Sequence, residues 1–221
     1  MTDDTYYLRG PATVCNPTGF FFDRVVREIV GPIERPFRVF GVTYDYDLAE
    51  ATVDYEHPPT GPRTSTWPEQ VISYAVDRAL VVEAIARTAC AYSRRVNRET
   101  GRTLPPSAGW AAELRRYFPR WFDLEFECDV GWADLIQVMA EWVHEIGVPP
   151  RFKFSQVKEK LAGLRAYSCG LGMSHAQIIR VRGVIAACET VSYGICGQYG
   201  EPGTVRKTAQ GYYYTACDKH A

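Results

Sequence analysis

Several absences narrow this chain before any motif is considered. It has almost no net charge, −1 from 25 basic and 26 acidic residues, whereas a protein whose whole surface wraps nucleic acid carries a large positive excess. It has no long uninterrupted apolar run. The most apolar stretch, Val71 to Ala91, contains Asp77, Arg78, Glu83 and Arg87, and a membrane-spanning helix needs about 20 predominantly apolar residues. No membrane contact is expected. Met1 to Gly10 holds two aspartates and two tyrosines where a signal peptide would place basic residues and an apolar run, so a cytoplasmic location is expected. The seven cysteines are odd in number and scattered over the chain, unlike the dense, even framework of a secreted disulfide scaffold. Also missing are the Gly-x-Ser-x-Gly elbow, the Walker loop, the dinucleotide-binding glycine fingerprint and a His-Glu-x-x-His run. Those absences count against the common enzyme classes, and no catalytic residue is assigned.

What remains is an ordinary globular composition, 46% hydrophobic and 23% charged, in a chain long enough to bury a core without staples. Periodicity predicts an α+β protein. Phe20 to Val30 has helical spacing, and β-rich runs at Phe37 to Tyr46 and Ala51 to Glu56 predict a hairpin. Thr66 as cap, Pro68 and Glu69 predict the start of a long helix that would run toward Gly101. Pro105-Pro106 suggests a division into 1–105 and 106–221, with one merged core as the alternative. Beyond it, helices are expected at Ala111 to Phe118 and Trp132 to Ile146, with Leu124 to Cys128 as a candidate strand. Phe152 to Lys160 and Leu164 to Ser168 should pair across Leu161-Ala162-Gly163, and Ser174 should cap a further helix.

The C-terminal segment carries the most informative pattern. Cys196-Gly197-Gln198-Tyr199-Gly200 begins like a Cys-x-x-Cys-Gly knuckle, and Cys217-Asp218-Lys219-His220 follows as Cys-x-x-His at a ribbon-like interval, with strand-like Thr204 to Thr215 between them. A closed structural zinc site needs four thiolate or imidazole donors. Here Tyr199 stands in one ligand position, so the segment reads as a degenerate zinc ribbon. The sequence demands no cofactor. Zinc is the candidate metal, on Cys196, Cys217 and His220, with Cys188, Cys169 or His175 as a fourth donor or water in an open position.

Three stretches in order, Cys128-Asp129-Val130-Gly131-Trp132-Ala133-Asp134-Leu135-Ile136, Gln156-Val157-Lys158-Glu159-Lys160-Leu161-Ala162-Gly163-Leu164-Arg165-Ala166-Tyr167 and the knuckle with Cys217-Asp218-Lys219-His220-Ala221, resemble an uncharacterised protein family of phage, prophage and bacterial genomes. The resemblance covers residues 122–221. It implies a C-terminal zinc knuckle, from which this chain departs at Tyr199, and a context of mobile elements and their hosts.

Two charged surfaces are candidates for recognition. No Lys or Arg lies between Arg38 and Arg63, while Asp45, Asp47, Glu50, Asp54 and Glu56 all do, interleaved with Tyr44, Tyr46 and Tyr55. Such a hairpin suits a basic protein surface, and aromatic residues are enriched at interface hot spots. Arg94, Arg95, Arg98, Arg102, Arg115, Arg116 and Arg120 form an opposite pole, for which complementing a helix dipole competes with phosphate binding. The functional expectation is a non-enzymatic binding or inhibitor protein of phage type, acting on a host protein or protein–nucleic acid machine through Tyr44, Asp45, Tyr46, Asp47, Glu50, Asp54 and Glu56. The alternatives are a zinc-ribbon nucleic-acid binder using Lys158, Lys160, Arg206 and Lys207, and a small metal-dependent hydrolase.

Overall fold

Helix α2 (Arg78–Ser93) is buried over most of its surface because apolar and small residues dominate it, with Val81, Val82, Ala84, Ile85, Thr88 and Ala89 among those enclosed and a narrow stripe bearing Glu83 and Arg87 left half-exposed. A helix with so narrow a polar stripe belongs near the centre of a core. Helices α1 (Pro17–Val30), α4 (Ala133–Glu145) and α5 (His175–Val191) pack around it, and the short α3 (Trp110–Tyr117) lies on α4. The computed structural model describes residues 17–30, 39–45, 50–55, 76–97, 100 and 102–221. Among them no helix is long and apolar enough to cross a membrane.

Three small sheets flank the helices, giving the α+β architecture expected. Strands β1 (Val39–Asp45) and β2 (Glu50–Tyr55) form the N-terminal antiparallel hairpin, and β2 packs against α2. A three-stranded sheet has the order β3 (Phe126–Glu127), β4 (Lys153–Lys160), β5 (Gly163–Cys169), with β3 parallel to β4 and β4 antiparallel to β5. The segment expected as one strand-like run resolves into two, β6 (Thr204–Lys207) and β7 (Tyr213–Ala216), reversed at Gly211 with φ 91°. Buried side chains from both sides of Pro105-Pro106 join one hydrophobic cluster. Within it Phe122 stacks on Phe154 at 4.8 Å between ring centroids, beside Trp121 and Phe152.

The predicted long helix requires correction at both ends. Asp77 has an extended backbone (φ −61°, ψ 123°) and its carboxylate accepts the Ala79 N–H at 2.9 Å, so the helix begins there and not at Pro68. That Asx cap satisfies an orphan donor of the first turn, a role Thr66 was expected to fill. Thr66, Pro68, Glu69, Val71, Ile72 and Ala75 lie outside the described residues. At the other end the chain leaves the helix after Ser93, and Val96 pairs with Thr103 in an isolated bridge.

Candidate metal centre and its scaffold

The Cys196–Gly200 turn is closed by backbone hydrogen bonds. The Gly200 N–H donates to the Cys196 carbonyl at 2.9 Å, and Gly200 adopts φ 70°, the left-handed conformation that glycine takes without steric penalty. The Cys196 N–H donates to the Glu201 carbonyl at 2.8 Å, and strands β6 and β7 then carry the chain out and back to Cys217. A single 3₁₀ turn, Asp218–His220, brings the His220 ring to the two sulfurs. His220 Nδ1 lies 3.1 Å from Cys217 Sγ and 3.6 Å from Cys196 Sγ, and the three ligand atoms fall within 4.8 Å of one another. Both cysteines are buried and His220 is half-buried.

These donors fit zinc. Bond lengths of about 2.3 Å to sulfur and about 2.0 Å to nitrogen at a tetrahedral angle put sulfur and nitrogen about 3.6 Å apart. The Cys196–His220 spacing already meets that figure, and the Cys217–His220 spacing would open by about half an ångström. Burial pushes the Cys217 thiol above its ordinary value, the Lys219 backbone N–H bonded to it pulls the other way, and the adjacent Cys196 thiol adds to the rise.

The remaining candidate donors are elsewhere. Cys188 sits fully buried on α5, where burial pushes its thiol far up and its charged neighbours are Glu189 and Arg87, so it is not a fourth ligand of this cluster. Cys169 ends β5 and His175 opens α5, and neither joins the cluster. Tyr199 lays its ring on the His220 imidazole, 5.2 Å between centroids, and the Lys219 ammonium sits 5.8 Å from the centre of the Tyr199 ring. Two carboxylates near the cluster are ion-paired, Glu201 with Lys219 and Asp218 with Arg206, each at 2.9 Å.

The three motif stretches converge on this segment, a role that sequence reasoning missed. The Gly131 N–H donates to the Gly197 carbonyl at 2.6 Å, and a Cβ on Gly131 would stand 2.2 Å from the Cys196 carbonyl oxygen. Only glycine permits that approach. The Trp132 indole N–H donates to the Ile195 carbonyl at 3.0 Å. From the β4–β5 turn, the Ala162 carbonyl accepts the Thr215 hydroxyl at 2.7 Å, while Gly163 lies against the Tyr193 ring, where a Cβ would come within 2.5 Å of a ring carbon. Arg165 donates to the Tyr193 hydroxyl and packs over its ring. Arg95 completes the frame: its guanidinium bonds the Asp134 carboxylate at 2.7 Å, the Leu104 carbonyl and the Gly200 carbonyl at 3.3 Å.

The arginine pole is therefore not one surface. Arg95 is mostly buried in the pair with Asp134, and Arg115 donates to the carbonyls of Phe122 and Leu124. Arg98 lies outside the described residues. In the acidic hairpin, register puts Asp45 opposite Glu50, Tyr44 opposite Ala51 and Asp54 opposite Gly41, while Tyr46, Asp47 and Glu56 fall outside the described residues. On β4 and β5, Lys158 stands opposite Arg165, and the Lys158 ammonium lies 5.6 Å from the Tyr167 ring centre. Comparison with protein-family models, with curated proteins and with solved structures finds no match to this chain.

Proposed function

We propose that this is a non-enzymatic binding protein that presents the β1–β2 hairpin to a basic surface of a host protein or protein–nucleic acid machine. The observation that carries the reading is the hairpin register, which sets Asp45 directly opposite Glu50 in an interval without Lys or Arg. Like charges facing each other across an antiparallel pair destabilise it, and a cationic partner relieves that repulsion. The β2 backbone runs beside α2, which places the hairpin on the helical core. Affinity capture from host lysate with the parent and with a variant carrying Asp45→Lys, Glu50→Lys and Asp54→Lys tests this. The variant is expected to fold and to lose the captured partner; retention of the same partner at full yield overturns the reading.

A second reading, direct binding of single-stranded nucleic acid by the C-terminal half, has its own support. Lys158 packs over Tyr167 and Lys207 over Tyr213, the latter at 5.2 Å, with Tyr167, Tyr212 and Tyr213 exposed. Exposed aromatic rings beside ammonium groups suit base stacking and phosphate contact together. Arg206, one of the expected contacts, is instead paired with Asp218. This reading requires affinity for an oligonucleotide that falls steeply with salt, with a smaller slope in a Lys158→Ala, Lys207→Ala variant.

A further inference from the structure

We infer that Cys196, Cys217 and His220 hold a soft divalent cation, zinc above all, at a centre whose fourth coordination position is open to water or to a small anionic ligand. Two thiolates and an imidazole select zinc over magnesium or calcium, which take oxygen donors. The spacing of 3.6 Å between Cys196 Sγ and His220 Nδ1 already matches a tetrahedral zinc site. Among the described residues no fourth Cys, His, Asp or Glu joins the three. Tyr199 stands where a knuckle would place its second cysteine. Its ring is engaged with His220, and a phenol is a poor donor to zinc near neutral pH. Geometry thus leaves that vertex to an exogenous ligand.

Two thiolates neutralise the charge of the cation, and the nearby Lys219 ammonium is already paired with Glu201 at 2.9 Å, so the centre takes water or a small anion without a dedicated cationic partner. Access comes from the His220 and Tyr199 side, where both rings are half-buried, whereas Cys196 and Cys217 are buried. The knuckle backbone is held by Gly131, Trp132 and Arg95 independently of metal, so the three donors are preorganised. Three protein ligands plus an exchangeable one is the zinc arrangement that binds external ligands; four protein ligands close the site.

Cobalt(II) titration of the 221-residue chain under reducing conditions tests the inference. One equivalent is expected to produce thiolate charge-transfer absorption with the strong visible bands of a four-coordinate centre, and azide should shift those bands. In Tyr199→Cys the added thiolate closes the site, so azide should no longer shift them. Outer-shell partners alone contribute about 10–100-fold to metal affinity, so a new direct ligand is expected to raise zinc affinity at least about 100-fold in a chelator competition. Cys217→Ser and His220→Ala should each lose the cobalt spectrum, and the second serves if the first does not fold. Failure of the parent to bind cobalt, a parent spectrum indifferent to azide, or unchanged zinc affinity in Tyr199→Cys overturns the inference.

Discussion

Gly131→Ala is the sharpest perturbation of the scaffold that positions the C-terminal ribbon. The added Cβ would stand 2.2 Å from the Cys196 oxygen, 2.3 Å from the Gly197 oxygen and 2.5 Å from the Gly197 carbonyl carbon, all backbone atoms with no rotamer to change. Relief requires the 3₁₀ turn at Val130–Trp132 and the knuckle to separate by about an ångström, beyond ordinary hydrogen-bond reach. The Gly131–Gly197 bond at 2.6 Å is then lost, and the Trp132–Ile195 bond at 3.0 Å is stretched. Each buried group left unpaired costs about 1–3 kcal/mol, so the substitution is expected to destabilise by about 2–5 kcal/mol in total. Urea unfolding with linear extrapolation measures this.

Gly109→Ala is the matched control. Gly109 has φ −88°, and a Cβ there would find its nearest neighbour at 3.5 Å, a serine hydroxyl. The control should lie within about 1 kcal/mol of the parent. If Gly131→Ala also fell within about 0.5 kcal/mol of the parent, the contact between the turn and the knuckle would not hold the ribbon, and the reasoning would fail.

Ile85 is fully buried in the central helix, so Ile85→Ala should destabilise by about 2–5 kcal/mol in the same assay, and a loss below about 1 kcal/mol refutes its place in the core. Removing bound metal with a strong chelator should lower the melting temperature only slightly, because the ribbon is tied down by Thr215, Trp132 and Arg95; unfolding of α5 on chelation would contradict this. Glu28, Asp134, Glu159 and Glu189 all have carboxyls raised above their ordinary values, with burial the first cause in each. The folded state holds these protons more tightly than the unfolded chain, so their contribution to stability grows as pH falls through the raised values and is lost as pH rises through them. Melting temperature is expected to hold or rise from neutral pH to about pH 5, and a steady fall over that interval would refute the assignment.

Elements with local signals were legible in the sequence, and those governed by long-range contacts were not. Ser174 announces α5 because its cap is reciprocal with Gln177, the hydroxyl accepting the Gln177 N–H at 3.2 Å and the Gln177 amide oxygen accepting the Ser174 N–H at 2.9 Å. The start of α2 differs from the expected one because a helix buried over most of its surface gives little polar periodicity to mark where it begins, so the Asp77 cap on the Ala79 N–H does not stand out from the residues before it. The expected grouping of arginines failed for a similar reason: Asp134, the partner of Arg95, lies on a different helix, and nothing in local spacing announces the pair. Cys196, Cys217 and His220 were recognisable from spacing alone, since knuckle turns fix the distance between their ligands. Gly131 and Gly163 belonged to recognisable motifs, yet their purpose is an approach to backbone and ring atoms far away in sequence. That Cys188 stays apart from the cluster was likewise a matter of tertiary placement.

The departure at Tyr199 is understandable once the ribbon's supports are counted. A free-standing zinc ribbon depends on metal for its fold, with apparent binding free energies of about 10–16 kcal/mol in small zinc-finger peptides. Here Thr215 and Ala216 at the end of β7 and the following Cys217 are all buried, and the 195–200 segment accepts hydrogen bonds from Gly131, Trp132 and Arg95 while Thr215 donates to Ala162. At about 1 kcal/mol net for each such bond, together with the apolar area that β7 and Ile195 bury, the core supplies a substantial part of what metal supplies in an isolated ribbon. The same contacts keep Cys196, Cys217 and His220 together on a support that does not depend on metal, so under the inference drawn above a cation held there would meet an open coordination position on a fixed frame.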